Sequence, residues 1–187
     1  GYKFYDTDGT QKDCLKLLKD RGMNTIRLRV WVNPSDDKAS GHCSKEETVL
    51  MAVRAQKMGM RIMIDFHYSD SWADPGKQNK PLEWRNHTFS ELLNDVYFHT
   101  EDVLKDLKKA GVTPEWVQVG NEIPGGMLWP EGSTENFNQL AQSLNKGYDA
   151  AKAVDENIKV IVHLDEGNNS KKFRWFFDNA KANNVKY

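Results

Sequence analysis

The chain has 187 residues, 39% of them hydrophobic, and a formal net charge of −1. That supplies enough apolar material for one globular domain, and the near-neutral balance excludes the charge excess expected of a nucleic-acid or anionic-membrane binder. No run approaches the roughly 20 apolar residues of a membrane span, and no basic, apolar, small-residue leader opens the sequence, so a secreted form is expected to have lost its leader.

Near the start, Asp6-Thr7-Asp8-Gly9 carries its glycine too early for an EF-hand and reads as a plain turn. A first helix is predicted over residues 10–21, where Thr10 with Asp13 has the form of a capping box, Cys14, Leu17 and Leu18 make an apolar stripe, and Gly22 stops it. A strand from Thr25 to Val32 follows. Ser44 with Glu47 opens a second helix closed by Gly59, and Arg61 to Tyr68 has the Ile-Met-Ile centre of a buried strand. Thr88 with Glu91 starts a longer helix that runs to Gly111, and Trp116 to Glu122 is the next strand. A helix over about residues 134–153 leads to a strand from Ile158 to Leu164. Ser170 is expected to cap a last helix, and Val185-Lys186-Tyr187 to begin another strand. Four alternations of strand and helix without a linker indicate consecutive βα units, an α/β fold with a parallel sheet.

Cys14 falls in the first helix and Cys43 in a polar loop. Without a CxxC or a histidine at ligand spacing they argue against a metal or redox centre, so no cofactor is expected and both are read as free thiols. Six tryptophans, six tyrosines and eight phenylalanines suit stacking against sugar faces, but equally suit a well-filled core.

The run Trp116-Val117-Gln118-Val119-Gly120-Asn121-Glu122 carries the chemistry, since an apolar strand ends in an amide beside a carboxylic acid and then turns through Pro124-Gly125-Gly126. A parallel strand delivers catalytic groups to the C-terminal mouth of an α/β barrel in this way. Glu122 taken alone is equally compatible with a loop cap or a lysine pair. Side-chain alternation adds to the case, because it puts Arg27, Arg29 and Trp31 on one face of the first strand, Met63, Asp65 and His67 on one face of the second, Gln118 and Glu122 on the third, and Ile161 and His163 on the fourth. Arg29, His67, Glu122 and His163 would then converge at neighbouring strand ends. Burying unpaired charge costs several kcal/mol, so such a face indicates a site. Arg27 reads instead as a structural arginine satisfied by Asp65, a role Arg29 could share. His67 and His163, taken singly, fit core histidines bonded to backbone carbonyls. Trp72 and Trp129 lie in long loops just past strand ends, where a sugar platform would be. Asp70, Asp74 and Lys77 are compatible with solvated turns, and Glu83, Glu131 and Glu166 read as surface or rim carboxylates.

Three long stretches, Arg27 to Pro34, Asp65 to Gln78, and Gln118 to Ile123 with Gly126 to Pro130, resemble in order the endo-β-1,4-galactanases of glycoside hydrolase family 53, in the (β/α)8 clan A. The resemblance covers essentially the whole chain and implies a retaining hydrolase that cuts internal β-1,4-galactosyl linkages of pectic galactan or type I arabinogalactan. By that likeness Glu122 is the general acid/base and Asn121 binds the hydroxyl next to the anomeric carbon. Arg29, His67 and His163 shape the mouth, Trp72 stacks under a galactosyl ring, and Trp129 belongs to the same substrate-binding set. The partner implied is a galactan polysaccharide, with no nucleic acid and no membrane span, and the location secreted, periplasmic or cell-surface.

A complete barrel needs eight strands and about 250 residues. Residues 1–187 are therefore read as a partial (β/α)8 catalytic domain that lacks the first strand of the family pattern and the last three, among them the seventh, which carries the nucleophilic glutamate. A retaining mechanism sets that carboxylate about 5 to 5.5 Å from the acid/base. Asp165 or Glu166 would be an unfavourable substitute, since each follows the adjacent strand. The alternatives left open are an inactive half-barrel that binds sugar weakly or not at all, and a clan A hydrolase acting on another β-glycan such as xylan or mannan.

Overall fold

The computed structural model describes residues 2–37 and 42–187. In chain order the elements are α1 (Cys14–Asp20), β1 (Thr25–Val30), α2 (Lys45–Lys57), β2 (Arg61–Phe66), α3 (Phe89–Lys109), β3 (Trp116–Val119), α4 (Phe137–Val154), β4 (Lys159–Ile161) and α5 (Ser170–Ala182). The strands form one parallel sheet in the order β1-β2-β3-β4. Sequential neighbours joined by helices are the winding of a barrel wall rather than of a doubly wound sheet.

Local chemistry sets the helix ends. The boxes expected at Ser44/Glu47 and Thr88/Glu91 both form, each side chain bonding the other residue's backbone N–H. At α1 the expectation shifts. Asp13 is the N-cap and accepts from Lys16 N, whereas Thr10 is held in the preceding turn, so the helix starts at Cys14 rather than residue 10. Asn169, not Ser170, caps α5 by accepting from Lys172 N. Residues 185–187 form no strand, because the Val185 N–H bonds to Ala180 O at the end of α5 and the Lys186 N–H to the Asn145 side chain.

Every strand is shorter than the apolar pattern suggests, and each is cut at its C-terminal end. Trp31 and Val32 leave β1 because their amides bond to Cys43 O and Ser69 O. The third strand stops at Val119 because Gly120 takes φ +80°.

The helix-facing side of the sheet is apolar. Ile62, Ile64, Phe66, Val117 and Val119 are buried with Leu92, Val96, Leu104 and Leu107 of α3 and Leu140 and Leu144 of α4. α4 can approach β3 closely because it carries glycine at 147, where a Cβ would lie 2.6 Å from a methyl of Val119. Tyr68, fully buried, donates its hydroxyl to Thr100 Oγ1, which itself donates to Val96 O. The opposite side carries the polar row Arg29, Asp65 and Gln118, which are register partners on β1, β2 and β3.

Candidate active site

Asp65 is buried in the middle of the polar row, so its charge must be met locally. Gln118 Nε2 donates to its Oδ1, while His67 Nε2 and Arg27 Nε stand 3.4 and 3.7 Å from its Oδ2. Arg27 Nη1 also donates to Gln118 Oε1 at 3.0 Å, which orients that amide. Arg27 thus takes the structural role expected of it. His67 differs from a core histidine bonded to a carbonyl: its Nδ1 accepts the Ala73 N–H at 3.1 Å, which leaves its proton on Nε2, the atom facing Asp65. The carboxylate, amide and guanidinium orient one another, while the imidazole is held by the Ala73 N–H and stands beside Asp65 with no hydrogen bond from Nε2.

Glu122 stands just past this row in the left-handed region, at φ +46°, a conformation that costs a non-glycine residue of order 1–2 kcal/mol. Its N–H donates to His163 Nδ1 at 3.2 Å, and the Ile123 N–H donates to His163 O at 3.0 Å. On the other side the buried Gln78 Nε2 lies 2.9 and 3.1 Å from the carbonyl oxygens of Asn121 and Glu122 and 3.1 Å from that of Asp74. Asn121 donates Nδ2–H to Ala73 O and accepts from Gln118 through Oδ1. The Glu122 backbone is therefore held from β4 and from the loop after β2. The side chain is half-buried and forms no hydrogen bond or ion pair among the described residues, so it is neither a loop cap nor a lysine partner.

His163 Nδ1 also lies 3.2 Å from Asn121 Oδ1, and it can serve the Glu122 N–H only while unprotonated. Its surroundings favour that form. Burial lowers its pKa first and the positive charge of Arg27 lowers it further, against opposing pulls from Asp65, Glu122 and Asp165. The neutral ring keeps the backbone bond to Glu122.

Arg29 takes a different position from Arg27. Its guanidinium lies over the Trp72 ring, 4.2 Å from the centroid, and 5.1 Å from that of Trp31. Trp31, His67 and Trp72 meet edge-on at 5.7 to 6.2 Å, with Trp31 buried beneath and Trp72 46% exposed. Trp129 is more confined. Its indole N–H donates to Gly125 O and its backbone N–H to Gln78 O, and next to it Glu131 pairs with Lys80 at 2.8 Å. Cys43, expected in a polar loop, is buried; burial pushes its thiol pKa up, opposed by the adjacent Arg29. Neither Cys14 nor Cys43 is in a disulfide among the described residues. Asp70, expected in a solvated turn, instead accepts from the backbones of Asn33 and Leu82 and joins the loops after β1 and β2. Asp165 and Glu166 both pair with Lys172, so neither is presented to Glu122 as a second carboxylate.

Two residues matter here that were not among the expected site residues, Gln118 and Gln78. Gln118 was visible as an inward position at a buried strand centre, where a polar side chain needs partners. Gln78 had no local signal, since it lies in an irregular loop and its partners at the strand end are 43 and 44 residues away.

The model of glycosyl hydrolase family 53 matches residues 1–187. The chain belongs to that family. A Niallia circulans protein described as an uncharacterized protein in the bgaB 5′ region is 40% identical over the whole of this chain and 52% of its own length. The arabinogalactan endo-β-1,4-galactanase of Thermothelomyces thermophilus is 36% identical over 96% of this chain and 53% of its own. Among solved structures, the GH53 catalytic domain of Ignisphaera aggregans superposes with a TM-score of 0.93 at 39% identity, covering all of this chain and 53% of that one. A structure from a study of two fungal β-1,4-galactanases gives 0.91 at 34% identity, over 99% and 55%. The chain spans about half the length of the relatives it matches, and its parallel sheet with alternating helices matches about half of their (β/α)8 barrel.

Proposed function

We propose that these residues form the part of an endo-acting, retaining glycoside hydrolase that carries its general acid/base, Glu122, and that the substrate is β-1,4-galactan or arabinogalactan. The observation that carries the reading is the state of Glu122: a carboxyl group at a strand end, free of any ion pair among the described residues, on a backbone held rigidly between His163 and Gln78. A positioned acid of this kind protonates the departing glycosidic oxygen and then, as a base, activates water. Asn121 has one Nδ2 hydrogen directed to Ala73 and keeps the other for a substrate hydroxyl. Trp72, with Arg29 behind it, offers a flat face on which a galactosyl ring stacks, and Trp129, His67 and His163 complete the wall. The galactan substrate follows the names of the relatives.

The nucleophilic glutamate lies outside these residues. Asp65 is occupied in its buried network and Asp165 and Glu166 are held by Lys172, so none of these three is offered to Glu122 as its partner. On this reading the 187 residues alone are inactive and correspond to strands two to five of the barrel. The location of the whole protein is secreted, periplasmic or cell-surface, where such polysaccharides are met.

The test is expression of the protein whose reading frame carries this chain. Reducing ends should appear from galactan and not from xylan or mannan, and Glu122→Gln should lower kcat/KM by about 10²–10⁴. Wild-type rates in Glu122→Gln, preference for xylan or mannan, or turnover by residues 1–187 alone would overturn the corresponding part of the reading.

A further inference from the structure

We infer that Gln78 is a positioning residue for Glu122: its buried side-chain amide holds the acid's backbone in the left-handed conformation and couples it to the loop that carries Trp72. The inference rests on the assignment of Glu122 as the acid.

Gln78 is almost completely buried, although it sits in an irregular loop between β2 and α3. Its Nε2 has two hydrogens and lies within 2.9 to 3.1 Å of three carbonyl oxygens, those of Asp74, Asn121 and Glu122. No strand partner is available there, because the ladder of β3 ends at Val119 and Gly120 turns the chain away. A buried carbonyl without a donor costs about 1–3 kcal/mol, so one amide satisfies what the sheet no longer can. The Gln78 main chain extends the connection, its carbonyl accepting the Trp129 N–H. Asn121 Nδ2 returns a bond to Ala73 O, next to Trp72. Loop and strand end are thus joined in both directions, and Gln78 supplies the bonds that reach the acid itself. Without them the Glu122 backbone is held only from the His163 side, and its strained φ can relax toward the ordinary β or α regions, which redirects its carboxyl group.

A displaced general acid has a specific signature. Bond cleavage then depends on how much protonation the leaving group needs, so a poor leaving group suffers and a good one does not. In the protein whose reading frame carries this chain, Gln78→Met should lower kcat/KM on galactan by about 30- to 100-fold, while kcat/KM on a dinitrophenyl β-galactobioside stays within about threefold. Should Gln78→Met not fold, Gln78→Glu keeps the volume and, when ionised, removes both donors, and it should give the same ratio. Equal losses on both substrates would mean general structural damage and overturn the inference, as would unchanged rates on both. If the unsubstituted protein leaves galactan intact, the functional reading fails instead, and the control separates the two.

Discussion

The start of α3 and the end of β3 are both places where the chain changes direction and backbone groups lose their regular partners, and they solve the problem differently. At α3, Thr88 and Glu91 lie three residues apart and satisfy one another. At β3, the groups around Asn121 and Glu122 find partners in His163, Gln78 and Ala73, 41 to 48 residues away. The first device forms as soon as its own turn forms. The second exists only when three βα units are docked, so the site is assembled by the fold as a whole and each member is exposed to the loss of any other.

Damage at the strand end should therefore exceed damage at the helix end. The largest effect is expected at Gly126, which has φ +93° in the loop after Glu122 and where a Cβ would lie 2.2 Å from Gly132 O and 2.7 Å from Ser133 Cα. Both obstacles are backbone, so Gly126→Ala should lose about 3–5 kcal/mol in chemical denaturation, from strain and overpacking together. Next comes Gln118→Leu, which keeps the approximate volume but leaves the buried Asp65 carboxylate without its hydrogen-bond donor. A loss of about 2–4 kcal/mol is expected, and Asp65→Leu added to Gln118→Leu should cost less than the sum of the two single changes, measured as a double-mutant cycle.

The third expectation concerns the packing of α3 on the sheet and is set by pH. His99 meets the rings of Phe66, Tyr68 and Trp84 edge-on, and burial lowers its pKa to about 4. Between that value and the ordinary value of about 6.5, the unfolded chain carries a proton that the folded chain lacks. The stability contribution is thus complete above pH 6.5, falls as pH drops toward 4, and flattens below it, by up to about 3 kcal/mol in all. His99→Phe should remove that part of the slope, and an unchanged slope in the variant would reject the assignment. The smallest effect belongs to the local device. Thr88→Ala should cost only about 1 kcal/mol, with no change in the arrangement around Glu122.

The same contrast decides how far the chain could be read before folding. Both capping boxes, at Ser44 and Thr88, were legible because their partners lie within one helical turn. The alternation Ile62, Ile64, Phe66 against Met63, Asp65 was legible because a pleat reverses with every residue. Alternation fails for Glu122 as an argument, although the residue does reach the site. The pleat ends at Val119, and two left-handed residues, Gly120 and Glu122, intervene before the carboxyl group is placed. His163 lies beyond the end of β4 at Ile161, and its ring is held by the backbone amide of Glu122 and not by its own strand. Arg27 and Arg29 are two residues apart on one face, and nothing local distinguishes them. Their different partners, Gln118 for one and Trp72 for the other, do.

Periodicity, caps and turn residues, all interactions spanning a few positions, were enough to dictate the βα order and the presence of an acid after a buried strand. Contacts between loops far apart in the chain decided how that acid is held, which arginine backs the tryptophan, and that Gln78 belongs to the site, because the energies that select those arrangements arise only once distant backbone groups lose water together.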